Sequence, residues 1–228
     1  MEMGVIKEYI DLAAAHGWPY MLIDWQWYGP YNEAGADITK PAPQLDMPEI
    51  LRYAEEKGVR IWLWLYSSDV NRNDAYKEAF RLYQKWGVAG IKIDFMDRAD
   101  QDVVDFHTRA AETAAKYHML VDFHGTYKPV GLHRTYPNVI NYEGVHGLEN
   151  MKWSPGSVDQ VTYDVTVPYI RMMAGPMDYT QGAMRNATRS SYHPSNSEPM
   201  SQGTRCRQLA EYVIFESPLN MLCDSPSN

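Results

Sequence analysis

The sequence predicts an α/β fold, a (β/α)8 barrel of the TIM type, on two observations. The first is a repeating order: helix, glycine or tight turn, apolar strand, polar strand end, with the turns near residues 17, 58, 87 and 118. That alternation implies parallel strands joined by helical crossovers. The second is that a polar residue marks every strand end: Asp24, Ser67, Asp94, His124 and Glu143. A doubly wound sheet collects its ligand groups at one switch point, whereas a barrel spreads them around its C-terminal face. No glycine-rich phosphate loop follows any strand, which weighs against a nucleotide-binding sheet.

Gly4 to His16 reads as a helix with Ile6, Tyr9, Ile10 and Ala13 on one face and Gly17 as its stop. Tyr20 to Asp24 reads as a strand opening into the polar-aromatic loop Trp25 to Asn32. Asp46 caps a second helix with Pro48 in its first turn, Ile50, Leu51, Tyr53 and Ala54 on its apolar side, and Gly58 at its end. Val59 to Leu65 is the next strand, and Asp74 to Trp86 the next helix, closed by Gly87. A short apolar run (Ile91, Ile93, Phe95) follows, with Lys92, Asp94 and Asp97 toward its far end. A helix from Ala99 to Tyr117 leads to a strand at Met119 to His124.

Beyond residue 125 the regularity loosens. Val139 to Glu143 reads as a further strand, followed by a loop holding His146 and Glu149. Val165 to Met173 is apolar and fits helix or strand equally. Asn186 to Gly203, rich in Ser, Asn and Pro, reads as a long irregular loop. Thr204 to Phe215 reads as a helix and Pro218 to Leu222 as a last strand.

A net charge of −8 with no cluster of Lys and Arg argues against a nucleic-acid partner. No run of about 18 apolar residues is present, so no membrane span is expected, and no stretch has the organisation of a signal peptide. Cys206 and Cys223 make neither a disulfide framework nor a zinc spacing. Aromatic content is high at 13%, with seven Trp and seventeen Tyr. Such rings suit the C–H faces of sugars, although core packing uses them more often.

The groups that could carry chemistry are Asp24, Asp94, Asp97, Asp122, His124, Glu143 and Glu149. Carboxylates at the C-terminal end of a buried parallel strand are paired or functional. The competing reading of Asp94 is a structural ion pair with Lys92 or Arg98. No nucleophile elbow and no His-x-x-x-His pair occur, while two carboxylates with aromatic neighbours suit glycoside hydrolysis.

The run Lys92-Ile-Asp94-Phe-Met-Asp-Arg98, with Leu22-Ile-Asp-Trp-Gln-Trp-Tyr28, Asn141-Tyr-Glu-Gly144 and Gly147-Leu-Glu-Asn150, resembles glycoside hydrolase family 97. Glu216 to Asn228 is similar to that family's last barrel strand. The resemblance implies a catalytic (β/α)8 barrel lacking its first strand and last helix, with an N-terminal β-sandwich and a C-terminal β domain expected beyond residues 1–228. It implies a retaining α-glycosidase acting on terminal α-galactosides, the alternatives being an α-glucosidase of the same family and a non-catalytic sugar-binding barrel. The family's inverting members resemble one another in a base glutamate after the fifth strand, where this chain has Gly125. Its retaining branch uses an aspartate matched by Asp94, and its acid/base glutamate, six residues after a calcium-ligating glutamate, is matched by Glu149 and Glu143. Ca²⁺ and a periplasmic or secreted location are further implications of the resemblance.

On those roles, Asp94 is ionised, with Lys92 holding its pKa down. Glu149 starts protonated, which asks for burial or a nearby negative charge. Asp24, Trp25, Lys92, Asp97 and His124 are the candidate substrate-binding residues. Asp24 is equally a capped strand end, His124 equally a satisfied neighbour, and packing is the competing reading for Trp25, Trp27 and Trp153.

Overall fold

The computed structural model describes residues 1–222 and 224 and divides into two compact units. The first comprises Met1–Thr126 and Leu132–Val139, the second Tyr127–Gly131 and Ile140–Asn228. Cys223 and residues 225–228, the end of the stretch read as a last strand, lie outside the described residues.

In the first unit the predicted alternation is present. The order is α1 (Met3–Ala15), β1 (Tyr20–Ile23), α2 (Met47–Glu56), β2 (Arg60–Tyr66), α3 (Ser67–Asn71), α4 (Tyr76–Trp86), β3 (Gly90–Asp94), α5 (Gln101–Lys116), β4 (Leu120–Phe123) and α6 (Leu132–Thr135). Strands β1 to β4 lie side by side in chain order, all parallel. The helix ends follow the local chemistry. Asp46 Oδ1 accepts the Glu49 N–H at 3.0 Å to start α2, and Asp100 Oδ1 accepts that of Val103 at 3.3 Å to start α5. Gly87 ends α4 in the left-handed region at φ 75°. On α1, Ile6, Ile10 and Ala13 are buried as expected, whereas Tyr9 is exposed. The short helix α3, at the strand end marked by Ser67, was not anticipated.

The register sorts the strand residues onto two faces. Side chains alternate along each strand, and in-register partners on parallel neighbours share a face. Ile23, Ile61, Leu63, Leu65, Ile91, Ile93, Val121 and Phe123 occupy one face, all buried. The opposite face carries the aromatic and ionisable groups in tiers: Trp62 beside Gly90 and Leu120, then Trp64 beside Lys92 and Asp122, then Tyr66 beside Asp94. Gly90 is glycine for a steric reason, since a Cβ there would lie 2.5 Å from the Trp62 indole. Phe95 does not continue the apolar strand run. It sits past the strand end at φ 59° and is 37% exposed, because the chain turns sharply after Asp94.

The second unit holds β5 (Val139–Tyr142, its first residue contributed by the first unit), α7 (Gln160–Arg171), the two-residue strands β6 (Asn186–Ala187) and β7 (Ser201–Gln202), and α8 (Arg205–Ile214). The ambiguous apolar stretch resolves into α7, started by Asp159, whose carboxylate accepts the Thr162 N–H at 3.0 Å. Its core gathers Leu148, Met151, Val167, Met177, Tyr179 and Phe215 among others. The long loop is irregular as expected, save for the short parallel pairing of β6 with β7. Pro218 to Leu222 is not a strand. Side chains take its carbonyls instead: Leu219 O accepts from Asn141 Nδ2 and Ser217 Oγ, and Met221 O from the Tyr212 hydroxyl. Pro218 also brings no N–H to a ladder.

Candidate active site

In the first unit the polar tier at the end of β3 centres on Asp94, which is buried yet hydrogen-bonded through both carboxylate oxygens. Its Oδ1 accepts the Phe95 N–H at 2.7 Å and lies 3.0 Å from His124 Nδ1, while its Oδ2 accepts the Trp64 indole N–H at 3.0 Å. Burial alone would push this carboxyl up. The His124 bond and charge, then the charge of Lys92, then the Trp64 bond outweigh burial and lower its pKa to about 2. Asp94 is therefore an anion held in one orientation. Lys92 lowers the Asp94 pKa through its charge as expected, whereas the competing reading, an ion pair with Lys92 or Arg98, is not its main support. Lys92 Nζ lies 3.8 Å from Asp24 Oδ2, and Arg98 pairs with Asp100 and Asp102.

The turn after Asp94 is built on Gly125. Its carbonyl accepts the N–H groups of both Met96, at 3.0 Å, and Asp97, at 3.1 Å. Phe95 and Asp97 both take left-handed conformations, at φ 59° and 53°, which side-chain-bearing residues hold only when their surroundings fix them. The Ser67 hydroxyl adds a bond to Phe95 O at 2.7 Å. Gly125 is itself at φ 55°, and a Cβ on it would lie 2.6 Å from Phe95 N and 2.9 Å from Asp94 Oδ1. No side chain fits beside the carboxylate at residue 125.

Around this carboxylate stands a cluster of rings. Trp64 packs against Trp25, Tyr28, Tyr31, Tyr66 and Phe95, and Tyr66 stacks between Tyr31 and Phe95 with centroids 5.4 and 5.1 Å away. Buried Asp69 ties down the loop that carries Trp25 and Tyr31. It accepts from the Tyr28 hydroxyl at 2.9 Å and the Asn32 N–H at 2.8 Å, and it pairs with Arg72. Trp25 is 47% exposed, whereas Trp27 is fully buried and donates to Trp64 O, so packing is its role. Asp24 is half-exposed and accepts the Trp25 N–H at 2.7 Å. The structure thus brings Asp24, Lys92, Asp94 and His124 to one sheet face, with Trp25 and the exposed Asp97 in the adjoining loops.

In the second unit Glu143 and Glu149 are half-buried. Glu149 lies on a 3-10 turn, Leu148–Lys152, held against residues 179 and 180. The Leu148 N–H donates to Tyr179 O at 2.8 Å and the Glu149 N–H to Thr180 Oγ1 at 3.1 Å. Gly147 permits that approach, since a Cβ there would meet Tyr179 O at 2.7 Å. Glu143 follows β5 in a segment clamped by Arg171. The buried guanidinium donates to the carbonyls of Tyr142, Glu143, Gly144, Gly175 and Pro176 at 2.9 to 3.3 Å. Burial lowers the pKa of Arg171 to about 10, so it remains a cation at neutral pH. Trp153 is 60% exposed.

Reading the sequence missed Trp64 and Arg171. The alternation of Trp62, Trp64 and Tyr66 along β2 marks Trp64 as sharing a face with Lys92 once the register is known, and Arg171 lay in the stretch whose conformation was open.

Residues 1–145 match the sequence profile of a family described as Glycoside hydrolase 97. A curated relative, the retaining alpha-galactosidase of Bacteroides thetaiotaomicron, is 55% identical over 222 residues, which is 97% of this chain and 33% of the relative. The chain thus spans about a third of that relative's length. Among solved structures, a beta-arabinopyranosidase is similar with a TM-score of 0.82 and 25% identity, over 100% of this chain and 36% of its own. A glycoside hydrolase family 97 enzyme of Pseudoalteromonas sp. strain K8 in complex with acarbose is similar with a TM-score of 0.80 and 25% identity, over 99% of this chain and 37% of its own.

Proposed function

Since this chain belongs to glycoside hydrolase family 97, we propose that it supplies the catalytic residues of an α-galactosidase that retains anomeric configuration, with Asp94 as nucleophile and Glu149 as acid/base. The observation that carries this reading is the state of Asp94: an ionised, oriented carboxylate at the C-terminal end of a parallel strand, beside a Gly125 that has no room for a second carboxylate. The name of the 55% identical relative supports the same reaction.

The first step forms a bond from Asp94 to the anomeric carbon as the glycosidic bond breaks, its electron pair leaving on the aglycone oxygen, which takes the Glu149 proton. In the second, Glu149 removes a proton from water, the water oxygen bonds to the anomeric carbon, and Asp94 is released as a carboxylate. Two displacements at one carbon restore its configuration. Such a pair works with its carboxyl groups about 5–5.5 Å apart. Asp24 and Lys92 are assigned to sugar hydroxyls, with Trp25 and Asp97 beside them. His124 holds Asp94.

We assign Glu143 as a Ca²⁺ ligand. A half-buried carboxylate is a suitable hard oxygen donor, but Ca²⁺ takes six to eight oxygens, and the carbonyls flanking Glu143 are engaged by Arg171. When bound, the ion would supply positive charge near Glu143. The parallel strands are read as an arc of an incomplete (β/α)8 barrel, lacking its first strand and last helix. A β-sandwich before it and a β domain after it would complete the protein, whose location would be periplasmic or secreted. No helix among the described residues is long and apolar enough to cross a membrane. The partner in this reading is a galactoside or oligosaccharide.

The deciding experiment follows the first-formed sugar by NMR in the complete protein. α-Galactose as the first product is expected, and β-galactose overturns the retaining mechanism. Asp94→Gly should abolish turnover and recover it with azide, giving the β-galactosyl azide. Parallel assays on aryl α-galactoside, α-glucoside and β-L-arabinopyranoside test the glycone; the galactoside should lead, and a dominant α-glucosidase activity would overturn that part.

A further inference from the structure

Resting on the reading of Asp94 as nucleophile, we propose that Asp94 attacks through Oδ2, and that Trp64, whose indole N–H donates to that oxygen, is a positioning residue that sets how fast the glycosyl ester breaks. The two carboxylate oxygens are not equivalent. Oδ1 has both in-plane lone pairs in use, one toward the Phe95 N–H at 2.7 Å and one toward His124 Nδ1 at 3.0 Å. Its far side is closed by Gly125, where even a Cβ would come within 2.9 Å. Among the described residues Oδ2 has a single donor, Trp64 Nε1 at 3.0 Å, which leaves one lone pair for the anomeric carbon.

Trp64 is fixed where it stands. Its side chain is 1% exposed, its ring meets those of Trp25, Tyr31, Tyr66 and Phe95, and its carbonyl accepts the Trp27 indole N–H at 2.6 Å. The N–H therefore points at one place through both steps. When the Oδ2 lone pair bonds to the anomeric carbon, the aglycone oxygen leaves with its electron pair and the proton of the acid. Oδ1 becomes the ester carbonyl oxygen and keeps both its donors. When water attacks and yields its proton to the base, the C–Oδ2 pair returns to Oδ2. A donor to Oδ2 stabilises the anion more than the neutral ester, because hydrogen bonds to charged acceptors are about twice as strong. Trp64 therefore favours breakdown of the ester, and removing its N–H prolongs it.

The test uses the complete protein with Trp64→Phe and with benzothienylalanine at residue 64, which keeps the ring shape and replaces the N–H by sulfur. Wild type is first trapped with 5-fluoro-α-galactosyl fluoride and the labelled peptide identified by mass. A label on any residue but Asp94 sinks the nucleophile reading itself. With Asp94 labelled, both variants should reactivate about tenfold more slowly, the scale of one hydrogen bond to a charged group. On an aryl galactoside with a good leaving group, kcat and KM should fall together while kcat/KM changes little, as expected when the ester accumulates. A purely structural role would lower kcat/KM and leave KM unreduced, and that pattern overturns the proposal. Wild-type reactivation in the benzothienyl protein overturns it too, whatever the Phe variant does.

Discussion

Gly125 and Asp94 are built against each other: a single carbon added at residue 125 would come within 2.9 Å of Asp94 Oδ1 and 2.6 Å of Phe95 N, the donor to that oxygen. The space beside the carboxylate is thus taken by the turn that orients Asp94. A site of this geometry accommodates Asp94 in its present pose or a side chain at residue 125, not both.

Gly125→Ala should therefore cost activity far beyond its size. The change strains a φ of 55° and pushes the Phe95 N–H away from Asp94. We expect kcat/KM to fall by at least about a hundredfold, the scale of misplacing a reacting group by an ångström. Stability should fall by about 1–2 kcal/mol. Steady-state kinetics beside thermal unfolding separates the two effects, and near-normal kinetics would show that the pose of Asp94 fixed by this turn does not matter to turnover.

Gly90→Ala is the steric control. A Cβ there meets the buried Trp62 indole at 2.5 Å, one tier below Lys92 and two below Asp94. Overpacking of this kind costs about 1–3 kcal/mol. The melting temperature should drop while the folded fraction keeps most of its turnover, a split that activity at low temperature would reveal.

Stability should fall on mild acidification through His107. Its ring is buried, stacked 4.1 Å from Phe123, and burial lowers its pKa from 6.5 to about 4. The unfolded chain takes up a proton near pH 6.5 that the folded state refuses until about pH 4. The stabilisation from a neutral His107 is thus complete above pH 6.5 and is lost as pH falls toward 4. Asp94 acts in a lower window, because its depressed pKa contributes stability above about pH 3.8 that disappears only toward pH 2. Chemical denaturation between pH 4 and 7 should show this decline in wild type and a flatter profile in His107→Leu.

Glu149→Gln should discriminate between leaving groups. Unactivated galactosides need a proton on the departing oxygen and should lose about 100- to 10,000-fold, the range of general acid catalysis. Activated aryl galactosides do not need that proton in the first step and should form the galactosyl-enzyme nearly as fast as wild type. An equal loss on both substrate types in single-turnover kinetics would remove Glu149 from the acid role.

Several features could be read before any coordinates because they depend on neighbours in the chain. Asp46 and Asp100 cap helices through N–H groups three residues on, and Gly87 stops one by adopting φ 75°. The alternation in Ile91, Lys92, Ile93 and Asp94 already separates an apolar face from a polar one. The placement of Asp94 at a strand end follows from the same local signals.

What only the tertiary structure decided are the partners, and they are distant in sequence. Trp64 and His124 each lie 30 residues from Asp94, so no window of the chain shows that these two side chains hydrogen-bond its carboxylate. Pro218 to Leu222 has the composition of a strand, but its carbonyls are claimed by Asn141 and Tyr212, and contacts of that reach override local propensity. Local patterning determined which residues face which way; the register of four parallel strands determined which of them meet, because strand pairing is a long-range choice that alternation alone leaves open.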